Sequence, residues 1–158
     1  MLRIWIFLIL LLGTCGYALW RGGAPERIAA GAMLAATAGS AIFRSEVDTR
    51  FLDVEVGLFI IDLLLLAILF AVMLRADRGW PILVSALHLC TVGAHVVRLI
   101  DPEMIRVTYV VMATAWSWPM VIALGIGTWR HRARLRARGY DRAWSAPISP
   151  QAWPASAG

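Results

Sequence analysis

Lysine is absent from this chain of 158 residues, so all fifteen basic side chains are arginine. Charge of either sign is scarce: 16% of residues are charged and 60% hydrophobic, where soluble domains carry about 25% and about 45–50%. That shortage, with a mean hydropathy of +0.72, excludes an ordinary soluble globule, a soluble nucleotide-binding enzyme and a disordered chain. Two cysteines cannot make a disulfide framework, and the short alternating segments that an outer-membrane barrel requires are missing. Catalytic signatures are missing as well. There is no Gly-x-Ser-x-Gly, His-Glu-x-x-His, phosphate-binding glycine loop or Cys-x-x-Cys, so no catalytic residue is assigned. No internal repeat is evident, which counts against a carrier built from duplicated halves.

What the chain does have is long apolar runs bounded by charge, near residues 4–20, 28–43, 54–74, 81–100 and 107–129. They predict an all-α, polytopic transmembrane bundle of about five spans over residues 1–130. The second run is the shortest and is rich in Ala and Gly; its Gly31, Ala35 and Gly39 recur every four residues, a small-residue stripe expected to pack helices closely. Pro25 suits a helix's first turn. Cys15 and Cys90 fall within spans and read as apolar packing residues. Trp5, Trp20, Trp80 and Trp129 stand at span ends, where amphipathic rings collect at headgroup depth; Trp116 and Trp118, beside Pro119, do not fit that belt and would pack helices or line a cavity. After the last span comes a basic juxtamembrane segment, 131–142. A disordered tail is expected at 143–158, where Pro147, Pro150 and Pro154 stand among Ser and Ala.

The arginines set the expected topology. Five spans put the termini on opposite sides, and placing the Arg-rich end inside leaves ten arginines there against five outside, in keeping with the positive-inside rule. The N-terminus is then outside and the C-terminus cytoplasmic. A rival arrangement has four spans, with 28–43 flat on the outer surface. A cleaved signal peptide fits poorly, because the first apolar run is long and no small-x-small site follows. The cluster Arg130, Arg132, Arg134, Arg136 and Arg138 is read as a membrane-surface anchor held by anionic headgroups rather than as a nucleic-acid site.

The segments Tyr17-Ala-Leu-Trp-Arg-Gly-Gly-Ala-Pro-Glu-Arg27, Arg75-Ala-Asp-Arg-Gly-Trp-Pro81 and Thr128-Trp-Arg-His-Arg132 resemble those of small hypothetical bacterial inner-membrane proteins, over most of residues 1–140. The resemblance implies a multi-pass inner-membrane location and carries no activity.

Ionisable residues inside spans are costly and mark interior sites. On the fourth span Ser85, His88, Thr91, His95 and Arg98 share one face, and on the third Glu55 and Asp62 are seven apart. The short turn between these spans makes them antiparallel. At ~1.5 Å per residue Asp62 falls level with Thr91, about one turn from either histidine, and Glu55 falls level with Arg98. A polar seam between the two helices is therefore expected, with Asp62 meeting His95 or His88 directly.

Three roles suit such a seam. It can fix helix register in a structural or accessory subunit of a homo-oligomer or larger membrane complex, relay protons or cations, or hold a metal or cofactor. The ligand spacing is not that of a metal motif. Bis-His haem needs opposed helices, and His131 lies about 10 Å too shallow to face His88, so no metal or cofactor is expected.

Overall fold

The structure is a computed structural model that describes residues 2–46, 51–101 and 106–145. Six helices follow in order: α1 (Leu2–Arg21), α2 (Ala24–Glu46), α3 (Phe51–Arg75), α4 (Trp80–Ile100), α5 (Arg106–Ala115) and α6 (Ser117–Arg138). No strand is present among the described residues. α5 and α6 form one interrupted rod. Pro119 offers no N–H to the Ala115 carbonyl, which breaks the ladder, and the Ser117 hydroxyl instead donates to the Thr114 carbonyl at 2.6 Å.

Four stretches are long and apolar enough to cross a membrane: Leu2–Arg21, Val56–Arg75, Trp80–Ile100 and Val111–Arg138. α2, which contains the expected second span, has the length with 23 residues but falls short in apolarity. It nevertheless packs within the bundle, against α1 on one side and α3 on the other, while α6 closes the ring against α1 and α4. The core between the helices consists of Leu11, Cys15, Ala18, Ala29, Ala30, Met33, Leu65, Leu69, Val84, Met120, Val121, Ala123 and Leu124. Outward-facing Ile9, Leu12, Leu64, Ile82, Ile122 and Ile126 give the apolar exterior that lipid tolerates and water does not.

The small-residue stripe of α2 is not the packing surface expected of it. Gly31 and Ala35 are exposed, and nothing lies within 4 Å of a Cβ built on Gly31; only Gly39 approaches a neighbour, Ile61 of α3, at 3.3 Å. The inward face is instead Glu26, Ala30 and Met33, at helical spacing of four and three. With fully buried Glu26 on the inward face, Gly31 and Ala35 face outward.

α6 runs to Arg138, where Gly139 takes a left-handed conformation (φ 75°) and donates its N–H to the Leu135 carbonyl, a conformation that favours glycine. The chain then turns back. Ser145 N–H bonds the Arg75 carbonyl at 2.8 Å and Trp144 bridges to Ala76. The expected disorder from 143 onward is thus corrected for residues 143–145; 146–158 lie outside the described residues.

Candidate functional site: a polar seam and a buried charge cluster

Two polar assemblies occupy opposite parts of the bundle. The first lies between α3, α4 and α5. His88, Thr91 and His95 are buried along one face of α4, and the Asp62 carboxylate on α3 lies 2.8 Å from His95 Nε2. His88 Nε2 bonds the Asp62 main-chain carbonyl at 2.9 Å and stands 3.8 Å from its Oδ1. On its other side His95 Nδ1 lies 3.0 Å from the Tyr109 hydroxyl of α5. Phe59 and Tyr109 rings flank the imidazole at 5.7 and 5.6 Å.

These partners assign the protons. A carboxylate accepts, so Nε2 of His95 carries the hydrogen, while Nδ1 meets the Tyr109 hydroxyl, a group able to donate or accept. A carbonyl likewise accepts from His88 Nε2–H. Both nitrogens of His95 are therefore occupied. Tyr109 was absent from the residues that spacing had singled out, although counting inward from both ends of the α4–α5 connection puts it near the depth of His95. Arg98 lies in the last turn of α4, and the side chain of Glu55 lies outside the described residues.

The second assembly was not anticipated. It gathers the α1–α2 turn, the α3–α4 turn, α6 and the returning tail. Glu26, 0% exposed, accepts from the Gly23 N–H at 3.1 Å, the reach-back of a capping box. Its Oε1 also accepts from Trp80 Nε1 at 3.0 Å and pairs with the buried Arg78 guanidinium. Arg78 Nη2 continues to Asp141 Oδ2 at 2.8 Å and to the Arg142 carbonyl at 3.3 Å. Asp141 further accepts from Arg134 through both oxygens, at 2.7 and 3.1 Å, and from His131 Nδ1 at 2.5 Å. Nδ1 also stands 3.1 Å from Arg78 Nη2, but two donors cannot bond each other, and its proton faces the carboxylate.

Burial alone would raise the Asp141 pKa. Hydrogen bonds from Arg134 and His131, with the charges of Arg78 and Arg134, outweigh that effect and hold it down at about 2.

Trp80 is half-buried, its indole turned toward Glu26, whereas Trp5, Trp20 and Trp129 are exposed. Trp118 packs against Phe7 of α1 with ring centroids 5.3 Å apart and tilted at 56°, in the helix-packing role. Cys15 is buried and Cys90 exposed, both free thiols.

The basic cluster divides by helical geometry. Positions two apart in sequence lie on opposite sides of a helix, whereas Arg130, Arg134 and Arg138, four apart, share one face. That face lines a cavity of about 620 Å³ at the end of α6, together with Arg78 and Arg142; Arg132 and Arg136 do not line it.

Among the described residues no group of three His, Cys, Asp or Glu side chains is placed to hold a metal ion. No family model, curated protein or solved structure matches the chain.

Proposed function

We propose that this is a small integral protein of the bacterial inner membrane, acting as a structural or accessory subunit within a homo-oligomer or larger membrane complex. Its Asp62–His95–Tyr109 seam locks helix register. The observation that carries this reading is saturation: both His95 nitrogens are engaged within the chain, leaving no ring position for a ligand. Intramembrane hydrogen bonds of this kind are worth about 0.6–2 kcal/mol each, enough to select one packing.

The orientation we favour has the N-terminus outside and the arginine-rich end in the cytoplasm against anionic headgroups. Five crossings are supported by the contact of Glu26 with Arg78. The α1–α2 and α3–α4 turns meet at one end of the bundle, so α2 must return the chain between them. A reporter inserted between Gly22 and Pro25 tests this; a cytoplasmic signal is expected, and a periplasmic one rejects it.

Proton or cation coupling is the second reading. It is favoured by the unbroken chain from the Tyr109 hydroxyl through His95 to Asp62, whose side chain is 21% exposed. Asp62→Asn separates the two. The structural role is expected to show as a lower melting temperature or weaker assembly in mild detergent. Normal folding with loss of a pH-dependent flux in reconstituted vesicles would establish the second reading instead.

A further inference from the structure

The cavity at the end of α6 has two kinds of wall. Toward the bundle's exterior it is apolar, with half-exposed Leu83 on α4 and Ile126 on α6. One turn further along α6 the wall becomes arginine: Arg130, Arg134 and Arg138, faced by Arg78 and Arg142 from the turn and the tail. Not all of this charge is balanced. Arg78 is matched by Glu26 and Asp141, and Arg134 by Asp141. Arg130, Arg138 and Arg142 form no side-chain ion pair among the described residues, and of the acids in the wall Asp141 is already engaged, leaving Asp77.

We propose that this cavity is a binding site for one anionic phospholipid. The phosphodiester sits among Arg130, Arg138 and Arg142, and an acyl chain runs along Leu83 and Ile126. Guanidinium groups suit the phosphate because their paired N–H donors match its oxygens. An apolar wall continuous with the lipid-facing surface suits an acyl chain and is of no use to a free anion. Arg134 is held away from the lipid by its two bonds to Asp141, so the Arg78–Asp141 cluster forms the rigid back of the site. The proposal deepens the headgroup contact named above: it turns a general attraction between surface and arginines into one stoichiometric site. It requires a membrane location but no particular role for the seam.

Helical geometry supplies the control. Arg130→Gln/Arg138→Gln and Arg132→Gln/Arg136→Gln remove the same charge from the same helix, but only the first pair lines the cavity. The full-length protein, purified in a neutral detergent, would be titrated with phosphatidylglycerol, phosphatidylcholine or inorganic phosphate and followed by native mass spectrometry and melting temperature. One phosphatidylglycerol is expected to bind and raise the melting temperature, with phosphatidylcholine at least tenfold weaker and phosphate ineffective as a competitor at equal concentration. The cavity pair should weaken phosphatidylglycerol at least tenfold, and the control pair less than threefold. Equal losses in both pairs would overturn the site in favour of diffuse surface attraction, and effective competition by phosphate would overturn the lipid. If the cavity pair does not fold, Ile126→Asn carries the test through the chain-binding wall: undiminished phosphatidylglycerol binding would count against the proposal.

Discussion

Trp80 lies against Gly127 so closely that a Cβ on the glycine would sit 2.7 Å from two atoms of the indole ring. The ring cannot retreat freely, because Nε1 is bonded to Glu26 on α2. One glycine on α6 thus lets an α4 side chain reach a buried carboxylate on a third helix.

Gly127→Ala is therefore expected to destabilise by about 1–3 kcal/mol, the range for overpacking a closed interior, despite alanine's better helix propensity. Gly16→Ala is the control, since nothing lies within 4 Å of a Cβ there. Thermal unfolding in detergent should show a lower midpoint for the first and an unchanged or higher one for the second.

Glu26 and Arg78 are both nearly inaccessible, and an unpartnered buried charge is costly. Arg78→Met, which strips Glu26 of its cation, is expected to lose about 3–5 kcal/mol, Glu26→Gln less because Asp141 still pairs Arg78, and the double variant less than the sum. Additive losses in a double-mutant cycle would show that the pair is not coupled.

The two assemblies differed in how far they could be read from sequence. Asp62 and His95 sit on helices joined by a short turn, so an antiparallel count of residues sets their depth, and a costly ionisable group must face inward. Glu26 and Arg78 are 52 positions apart and, as residues beside turns, count in a topology argument only as loop charges. Their meeting depends on a two-residue connection at Gly22–Gly23, and the rest of the cluster on the return of the tail after Gly139, neither of which hydropathy encodes. The same omission explains the error over Gly31 and Ala35. Small residues allow a close approach but do not choose the face, and on α2 the inward face carries Glu26. Two local signals pointed to the cluster: an acid three residues after a turn glycine ahead of a helix, and a glycine ending an arginine-rich helix.

Asp141 gives the tail a pH dependence. Its folded pKa of about 2 lies below the ordinary carboxylate value of about 3.9, so its ionised form stabilises the docked tail above that value. The contribution is lost as pH falls toward 2. Protease accessibility of the segment near Trp144 should accordingly rise across pH 4 to 2, read with an acid-active protease. Asp141→Asn should be accessible already at neutral pH and lose that rise. A tail protected equally at all these pH values would contradict the role of Asp141.

Two buried hydroxyls on or beside the α4 seam provide opposite tests of hydrogen-bond energetics. The Tyr109 hydroxyl is the partner of His95 Nδ1, and removing it leaves a buried ring nitrogen unsatisfied, at a cost of about 1–3 kcal/mol. Ser85 Oγ is buried without a hydrogen-bond partner, so its removal relieves a desolvated group. Tyr109→Phe should therefore lower the unfolding midpoint, whereas Ser85→Ala should leave it unchanged or raise it. The imidazole can be followed directly: with Tyr109 absent, Nδ1 of His95 loses its partner while Nε2 keeps Asp62. The nitrogen shift of Nδ1 should then move, and that of Nε2 should stay. A shift at both nitrogens would mean that Tyr109 also fixes the Asp62 contact. Neither shifting would place Tyr109 outside the seam.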